Sequence, residues 1–288
     1  LDPVFFMTRT FHRISVLGGG LLGGSIFLAL KGKAASKLWF RKPEAAEKAL
    51  KSGIKAATGD LAEAVADCDL LILAVPVGAM APLLRAAIQA GLPAKTLVTD
   101  VGSVKQTPHR ELGTILREHG NPFIGSHPMA GSEQNGLPAA KADLFQNAAC
   151  LLTNDSRASE ELCAELEEFW KSLGCRTMWL TAPEHDAIVA RISHLPHITA
   201  AATALSALGS NSGDGELAGG GLRDTTRIAS GNPDMWAEIL TENKEAVLAE
   251  LRDNISHLND ILASLEGGDL EAVREWLAGA KKLRDALR

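Results

Sequence analysis

The sequence predicts an α/β half followed by an all-helical half, and three observations carry that prediction. From about residue 13 to 180, short β-branched or apolar runs alternate with helical patterns, as in a parallel sheet with crossover helices. From 183 onward strand signals vanish and long Ala- and Leu-rich helical runs take over. Between the first strand run and the first helical run stands a glycine-rich turn, Gly18-Gly19-Gly20-Leu21-Leu22-Gly23. At 288 residues the chain exceeds one typical core and falls short of three, so two domains are expected.

The strand runs are 14–17, 37–40, 70–75, 96–99, 123–125, 150–153 and 176–180. The run 70–75 shows no polar alternation, which suits a central strand covered on both faces. The glycine turn opens a helix at 24–30, and between the later runs 44–51, 77–90, 105–119 and 159–173 space their apolar residues three and four apart, the helical period. Pro183 suits the first turn of the next helix, with Thr181 or a neighbour as its cap. A glycine-rich loop at 209–221, Ser230-Gly231-Asn232-Pro233 and Gly267-Gly268 then interrupt the helical runs. A single helix over 234–266 is longer than a small monomeric domain needs. Its second apolar stripe predicts a homodimer of interleaved helices. These readings place the domains at 12–182 and 183–288.

Composition narrows the function classes. With 46% apolar and 22% charged residues the chain is globular, not disordered. A net charge of −6 argues against a nucleic-acid surface, which needs clustered cations. No stretch approaches the length of a membrane-spanning helix, and residues 1–7 lack the charged-then-apolar order of a signal peptide. Cys68, Cys150, Cys163 and Cys175 show no C-x-x-C spacing. They read as reduced thiols packed as small apolar groups, so a cytoplasmic location is expected. There is no tyrosine, so acid–base work falls to histidine.

The glycine turn fits G-x-G-x-x-G in the context its mechanism requires, after a strand and opening a helix. Gly18 permits the tight turn, Gly20 lets the backbone approach a pyrophosphate, and Gly23 allows close helix–strand packing. This predicts a Rossmann-type dinucleotide-binding domain, with Leu21 and Leu22 at the helix start beside the cofactor. About twenty residues on, where an NAD site usually carries Asp or Glu, the chain offers Arg41 and Lys42. Cations there would pair with a 2′-phosphate, so NADP is preferred over NAD; the plain reading of Arg41 is a solvated loop residue.

The carboxyl ends of the later strands should converge on the nicotinamide. Ala74-Val75-Pro76, 100–105 and 125–136 land there, the second carrying Ser103 and the third His127. His127, among glycines at the mouth of a strand, is placed for proton transfer or is a structural histidine. Ser103 reads as a site residue or a helix cap. In the helical half, Pro196 kinks a helix that sets His194 and His197 three apart on one face. No carboxylate or cysteine stands at a matching ligand offset there, so no metal is expected. Arg227, after a glycine-rich loop, is a carboxylate clamp or an ordinary salt bridge.

The strings 125–133, 193–197 and 219–227, the last followed by Asn232-Pro233-Asp234-Met235-Trp236, resemble the TyrA family of prephenate and arogenate dehydrogenases. The resemblance covers nearly the whole chain from Arg13. It implies an oxidative decarboxylation: hydride leaves ring C4 for the nicotinamide and carbon dioxide departs as the ring aromatises. It further implies that His127 accepts a hydrogen bond from the C4 hydroxyl, and that Ser103 touches that hydroxyl and the nicotinamide. His197 and Arg227 would hold the substrate's polar end near His194, with Glu133 and Asp224 as gate or charge partners and Trp236 at the rim. Val75 and Pro76 would line the cofactor. Only a dozen residues precede the first strand, so neither appendage of some family members is expected, and any feedback by tyrosine would have to act at the active site itself. Prephenate is the default substrate, with arogenate, whose charged amine would want Glu133 or Asp224, as the alternative. The β-hydroxyacid dehydrogenases share the architecture but rely on a lysine in the first long helix, and 183–210 has none. A non-catalytic NADP-binding sensor would need the turn but not His127, Ser103 and Arg227 together.

Overall fold

The computed structural model describes residues 11–131, 134, 136–209 and 212–287. Eight strands form its sheet: β1 (Arg13–Leu17), β2 (Ala35–Trp39), β3 (Ala57–Thr58), β4 (Leu70–Leu73), β5 (Leu97–Asp100), β6 (Phe123–Pro128), β7 (Ala149–Thr153) and β8 (Arg176–Leu180). Helices α1 (Leu21–Ala29), α2 (Pro43–Lys51), α3 (Leu61–Val65), α4 (Val77–Gln89), α5 (Gln106–His119) and α6 (Glu160–Ser172) cross between strands. The order is β3-β2-β1-β4-β5-β6-β7-β8. Chain direction from β1 runs one way to β2 and β3 and the other way to β4, so the crevice of a doubly wound sheet opens beyond Leu17 and Leu73.

Period-two alternation builds two cores from one strand. On β4, Leu70 and Ile72 join Ile26, Phe145 and Trp170 on one face; Leu71 and Leu73 join Met80, Leu84 and Leu116 on the other. That double burial is why the run lacks polar residues. The strand stops at Leu73, not at 75, which frees Ala74 to Pro76 to turn toward the crevice. β1 to β6 are parallel, whereas β7 pairs antiparallel with β6, His127 opposite Leu151, which corrects the expectation of a wholly parallel sheet. Strand periodicity fixes faces and carries no direction. β3 and α3 escaped sequence reading because each spans at most five residues.

The helical half holds α7 (Ala182–Val189), α8 (Leu195–Leu208), α9 (Gly220–Thr226), α10 (Pro233–Glu242), α11 (Lys244–Glu266) and α12 (Leu270–Asp285). Thr181 caps α7 in a reciprocal box with Glu184, and Pro183 sits in its first turn. Between α7 and α8 the chain makes a π-helical turn, Ala190–His194, just before Pro196. A proline without an N–H disturbs the hydrogen-bond ladder one turn upstream, and the wider turn absorbs the disturbance.

Two expectations need correction. The helix over 234–266 is broken at Asn243, whose backbone (φ −105°, ψ 27°) leaves the helical region. Its side-chain amide instead donates to the Asp186 carbonyl (2.8 Å) and to His194 Nδ1 (3.2 Å). The loop over 209–221 includes a 3₁₀ turn, Ser212–Leu217, and the start of α9. Among the described residues, no helix is long and apolar enough to cross a membrane.

Candidate active site

The turn after β1 is shaped for close approach. Gly18 has φ +123°, and a Cβ there would lie 2.2 Å from the Ala74 carbonyl oxygen. A Cβ on Gly23 would meet the Gly18 oxygen at 1.9 Å, so α1 packs against the strand only because both are glycine. At Gly20 the space is open: no atom lies within 4 Å of where a Cβ would stand. Gly20 is also the N-cap of α1, and neither a side-chain cap nor an acidic first-turn residue competes for the helix N-terminus. Open room before unpaired N–H groups is what a dinucleotide pyrophosphate requires, so the residues present fit that cofactor.

From this turn a cavity of about 620 Å³ runs to the helical half. Gly20, Leu21 and Leu22 line one end, Val75, Pro76, Ser103 and His127 the middle, and His194, His197, Arg227 and Trp236 the other end. Four segments of the sheet half and three of the helical half, far apart in sequence, thus face one space. Gly18 and Gly23 shape the turn without lining the cavity. Arg41 and Lys42 are exposed just past β2, outside the cavity. Asp224 is exposed on α9 and is not part of the lining, and Glu133 lies outside the described residues. The described site residues other than Gly18, Gly23, Arg41, Lys42 and Asp224 therefore share one surface.

Electrostatics leaves the buried histidines along the cavity neutral. Burial pushes His127 well below its ordinary range, and His185, Lys105 and His194 push it the same way. Burial likewise lowers His194, to about 4, and lowers His197. All three rings are neutral at pH 7. His197 stacks on Trp236 with centroids 3.6 Å apart and planes 9° from parallel, which fixes the two rings against each other. Nε2 of His194 and Nδ1 of His197 are buried and find no hydrogen-bond partner among the described residues. Because the Asn243 amide donates to His194 Nδ1, Nε2 of that ring carries its hydrogen and offers an unused donor to a ligand. Arg227, exposed to solvent, lines the same end.

Beneath the reactive centre lies polar structure that sequence reasoning missed. Lys105 and Asp100 are wholly buried, with Nζ 2.5 Å from Oδ2. The ammonium also donates to the Gly102 (2.9 Å) and Val104 (3.1 Å) carbonyls, so its three hydrogens are used. Asp100 in turn accepts from the Gly102 amide (2.8 Å) and, at 3.4 Å, from that of Ser126, which fixes the Ser103 loop against β6. Ser126, the neighbour of His127, is pinned through its hydroxyl to Thr99 (2.7 Å) and Trp170 Nε1 (3.0 Å). On α7, Asp186 accepts from the amides of Lys105 (2.7 Å) and Gln106 (3.0 Å) at the start of α5. Glu238 of α10 accepts from Gly78 (2.6 Å) in the first turn of α4. Both carboxylates stand at helix N-termini and tie the two halves together. One signal could have found the α7 pair: Ala182, His185, Asp186 and Val189 share the core-facing stripe of a short helix, and two of the four are ionisable.

A dinucleotide turn opening into an interdomain cavity with a neutral buried histidine defines an NAD(P)-dependent dehydrogenase of two domains. Comparison with known proteins sharpens this. Residues 32–179 match the family model described as prephenate dehydrogenase, nucleotide-binding domain, and residues 181–279 that described as prephenate dehydrogenase, dimerization domain. A prephenate dehydrogenase of Lactococcus lactis is 34% identical over 286 residues, 96% of this chain and 77% of that protein. Among solved structures, the Aquifex aeolicus prephenate dehydrogenase in complex with hydroxyphenyl propionate and NAD+ superposes with a TM-score of 0.88. It is 26% identical and covers 98% of this chain and 100% of its own. A Synechocystis arogenate dehydrogenase gives a TM-score of 0.78 at 30% identity, covering 95% and 99%. The chain belongs to the prephenate dehydrogenase family.

Proposed function

We propose that this cavity oxidatively decarboxylates prephenate to 4-hydroxyphenylpyruvate, with NADP preferred over NAD. The observation that carries the proposal is the single cavity uniting the Gly20 turn, Ser103 and His127 with His194, His197 and Arg227. Gly20, Leu21, Leu22, Val75 and Pro76 would hold the cofactor, and a nicotinamide bound there supplies the hydride acceptor for ring C4. Neutral His127 accepts the hydrogen of the C4 hydroxyl as positive character grows at that carbon. Ser103 orients the same hydroxyl. As the ring carboxylate leaves as carbon dioxide, its bonding pair aromatises the ring. The proton then returns from His127 to the phenolate oxygen, so none is consumed. At the other end Arg227, His194 and His197 bind the side-chain carboxylate and keto oxygen, with Trp236 closing the rim. Removing the guanidinium from a carboxylate desolvated on binding would cost about 2–5 kcal/mol, much of it the penalty of the charge left unpaired.

Arg41 and Lys42, in the loop that leads into Pro43 and Glu44, support the NADP preference, since they present two cations where a 2′-phosphate would lie. Glu133 and Asp224 retain the role of gate or charge partners. The sheet ends at Leu180 and α7 begins at Ala182, which supports domains at 12–182 and 183–288. Leu258, Leu262 and Leu265 of α11 and Leu277 of α12 are half or more exposed, an apolar stripe that a homodimer would cover. Tyrosine, which carries the same phenol as the product, would inhibit by occupying the cavity. The free thiols suit the cytoplasm.

Arogenate is the second reading, favoured by the Synechocystis likeness and the NADP-type loop. A two-by-two rate comparison, prephenate or arogenate against NAD or NADP, tests both. The proposal expects the highest kcat/KM with prephenate and NADP. A higher value with arogenate replaces it by the second reading, and no turnover of either compound refutes both.

A further inference from the structure

Two residues outside the cavity lining determine which nitrogen of His127 is free. His127 Nδ1 lies 2.9 Å from His185 Nε2, and His185 Nδ1 lies 2.8 Å from Asp186 Oδ1. Asp186 already accepts from two backbone amides, one at each oxygen. Burial would raise its carboxyl, but the hydrogen bonds from His185, Gln106 and Lys105 hold it below its ordinary value. It is an ionised carboxylate, and such a group only accepts. His185 Nδ1 must therefore carry a hydrogen. Burial keeps the His185 ring neutral, so its other nitrogen, Nε2, presents a lone pair to His127. The bond between the two histidines then requires the hydrogen on His127 Nδ1. Nε2 is left as the lone-pair nitrogen of a residue that lines the cavity.

We propose that His185 and Asp186 are positioning residues that fix His127 in the Nδ1–H tautomer, so that Nε2 stands ready as hydrogen acceptor. The inference rests on the reading of His127 as that acceptor. The chain of three groups also serves the protonated ring. When Nε2 takes a proton, Nδ1–H becomes a stronger donor to His185, and the Asp186 carboxylate at the far end offsets the charge. Without that offset a cation would sit in a buried site already facing Lys105 and His194.

Histidine ring ¹⁵N spectra of the free protein test this directly, with the His127 signals assigned by their loss in His127→Asn. The wild type should show a protonated Nδ1 and an unprotonated Nε2 at His127. The opposite pattern overturns the proposal without any further variant. His185→Leu removes the acceptor and should mix or invert the tautomer. It should lower kcat about 10²-fold while KM and cofactor affinity move by less than about threefold. His185→Gln can offer an amide oxygen to Nδ1–H and should recover at least about tenfold of the lost kcat. Two results contradict the proposal: kcat within about threefold in His185→Leu, or equal losses in both variants with the His127 tautomer unchanged. Failure of the acceptor reading itself looks different, because His127→Asn would then turn over normally whatever happens at 185.

Discussion

Lys105→Met isolates the buried ion pair under the active site. The methionine stem follows the path of the lysine stem, so packing changes little and the ammonium is what disappears. Three hydrogen bonds go with it, to Asp100, Gly102 and Val104, and the Asp100 carboxylate stays behind with no exposed surface. Removing one member of a buried pair typically costs about 3–5 kcal/mol, because the remaining charge is uncompensated. For a chain of this size that corresponds to a fall of roughly 10 °C in Tm. Urea unfolding followed by tryptophan fluorescence measures it. The double variant Asp100→Asn/Lys105→Met leaves no charge and should regain more than half of the loss, since an Asn oxygen can still accept from the Gly102 amide. A loss below about 1 kcal/mol in the single variant, or a double variant as unstable as the single, would refute the reasoning.

The other predictions concern charge, pH and assembly. Arg41→Asp should shift selectivity from NADP toward NAD by on the order of tenfold or more in the ratio of kcat/KM values, because a 2′-phosphate then meets a like charge; an unchanged ratio removes Arg41 from the site. His194, lowered by burial to about 4, binds fewer protons folded than unfolded between its folded value and the ordinary histidine value near 6.5. Its neutral form therefore stabilises the fold above that window, and the contribution, roughly 3 kcal/mol in full, is lost as pH falls through it. Urea midpoints at pH 7 and 4.5 should fall less in His194→Gln than in the wild type, and an equal fall contradicts this. Light scattering at micromolar concentration should give twice the monomer mass; a monomer would sink the proposed covering of α11 and α12.

The parts of the fold legible in the sequence are those set by local rules. The turn at Gly18 to Gly23 required glycine at two positions where a Cβ would strike backbone, and Pro183 with Thr181 marked a helix start. The apolar run at β4 announced a strand covered twice. What stayed hidden depends on partners distant in sequence. Nothing local orients β7 against β6, and nothing in a good helical pattern reveals that Asn243 leaves it to bond Asp186 and His194. At the site, Ser103, His127, His194, His197, Arg227 and Trp236 stood out as unusual strings, and they converge. Lys105, Asp100, His185 and Asp186 did not, since their meaning lies in pairing under the surface. His185 is 58 residues from His127 in sequence.

The central claim, that His127 takes the substrate hydrogen in a preformed nucleotide cleft, meets its most direct test in His127→Asn. Steady-state kcat with prephenate should fall by about 10²–10⁴-fold, while the NADP dissociation constant stays within about threefold of the wild type. Turnover near the wild-type rate would contradict the account.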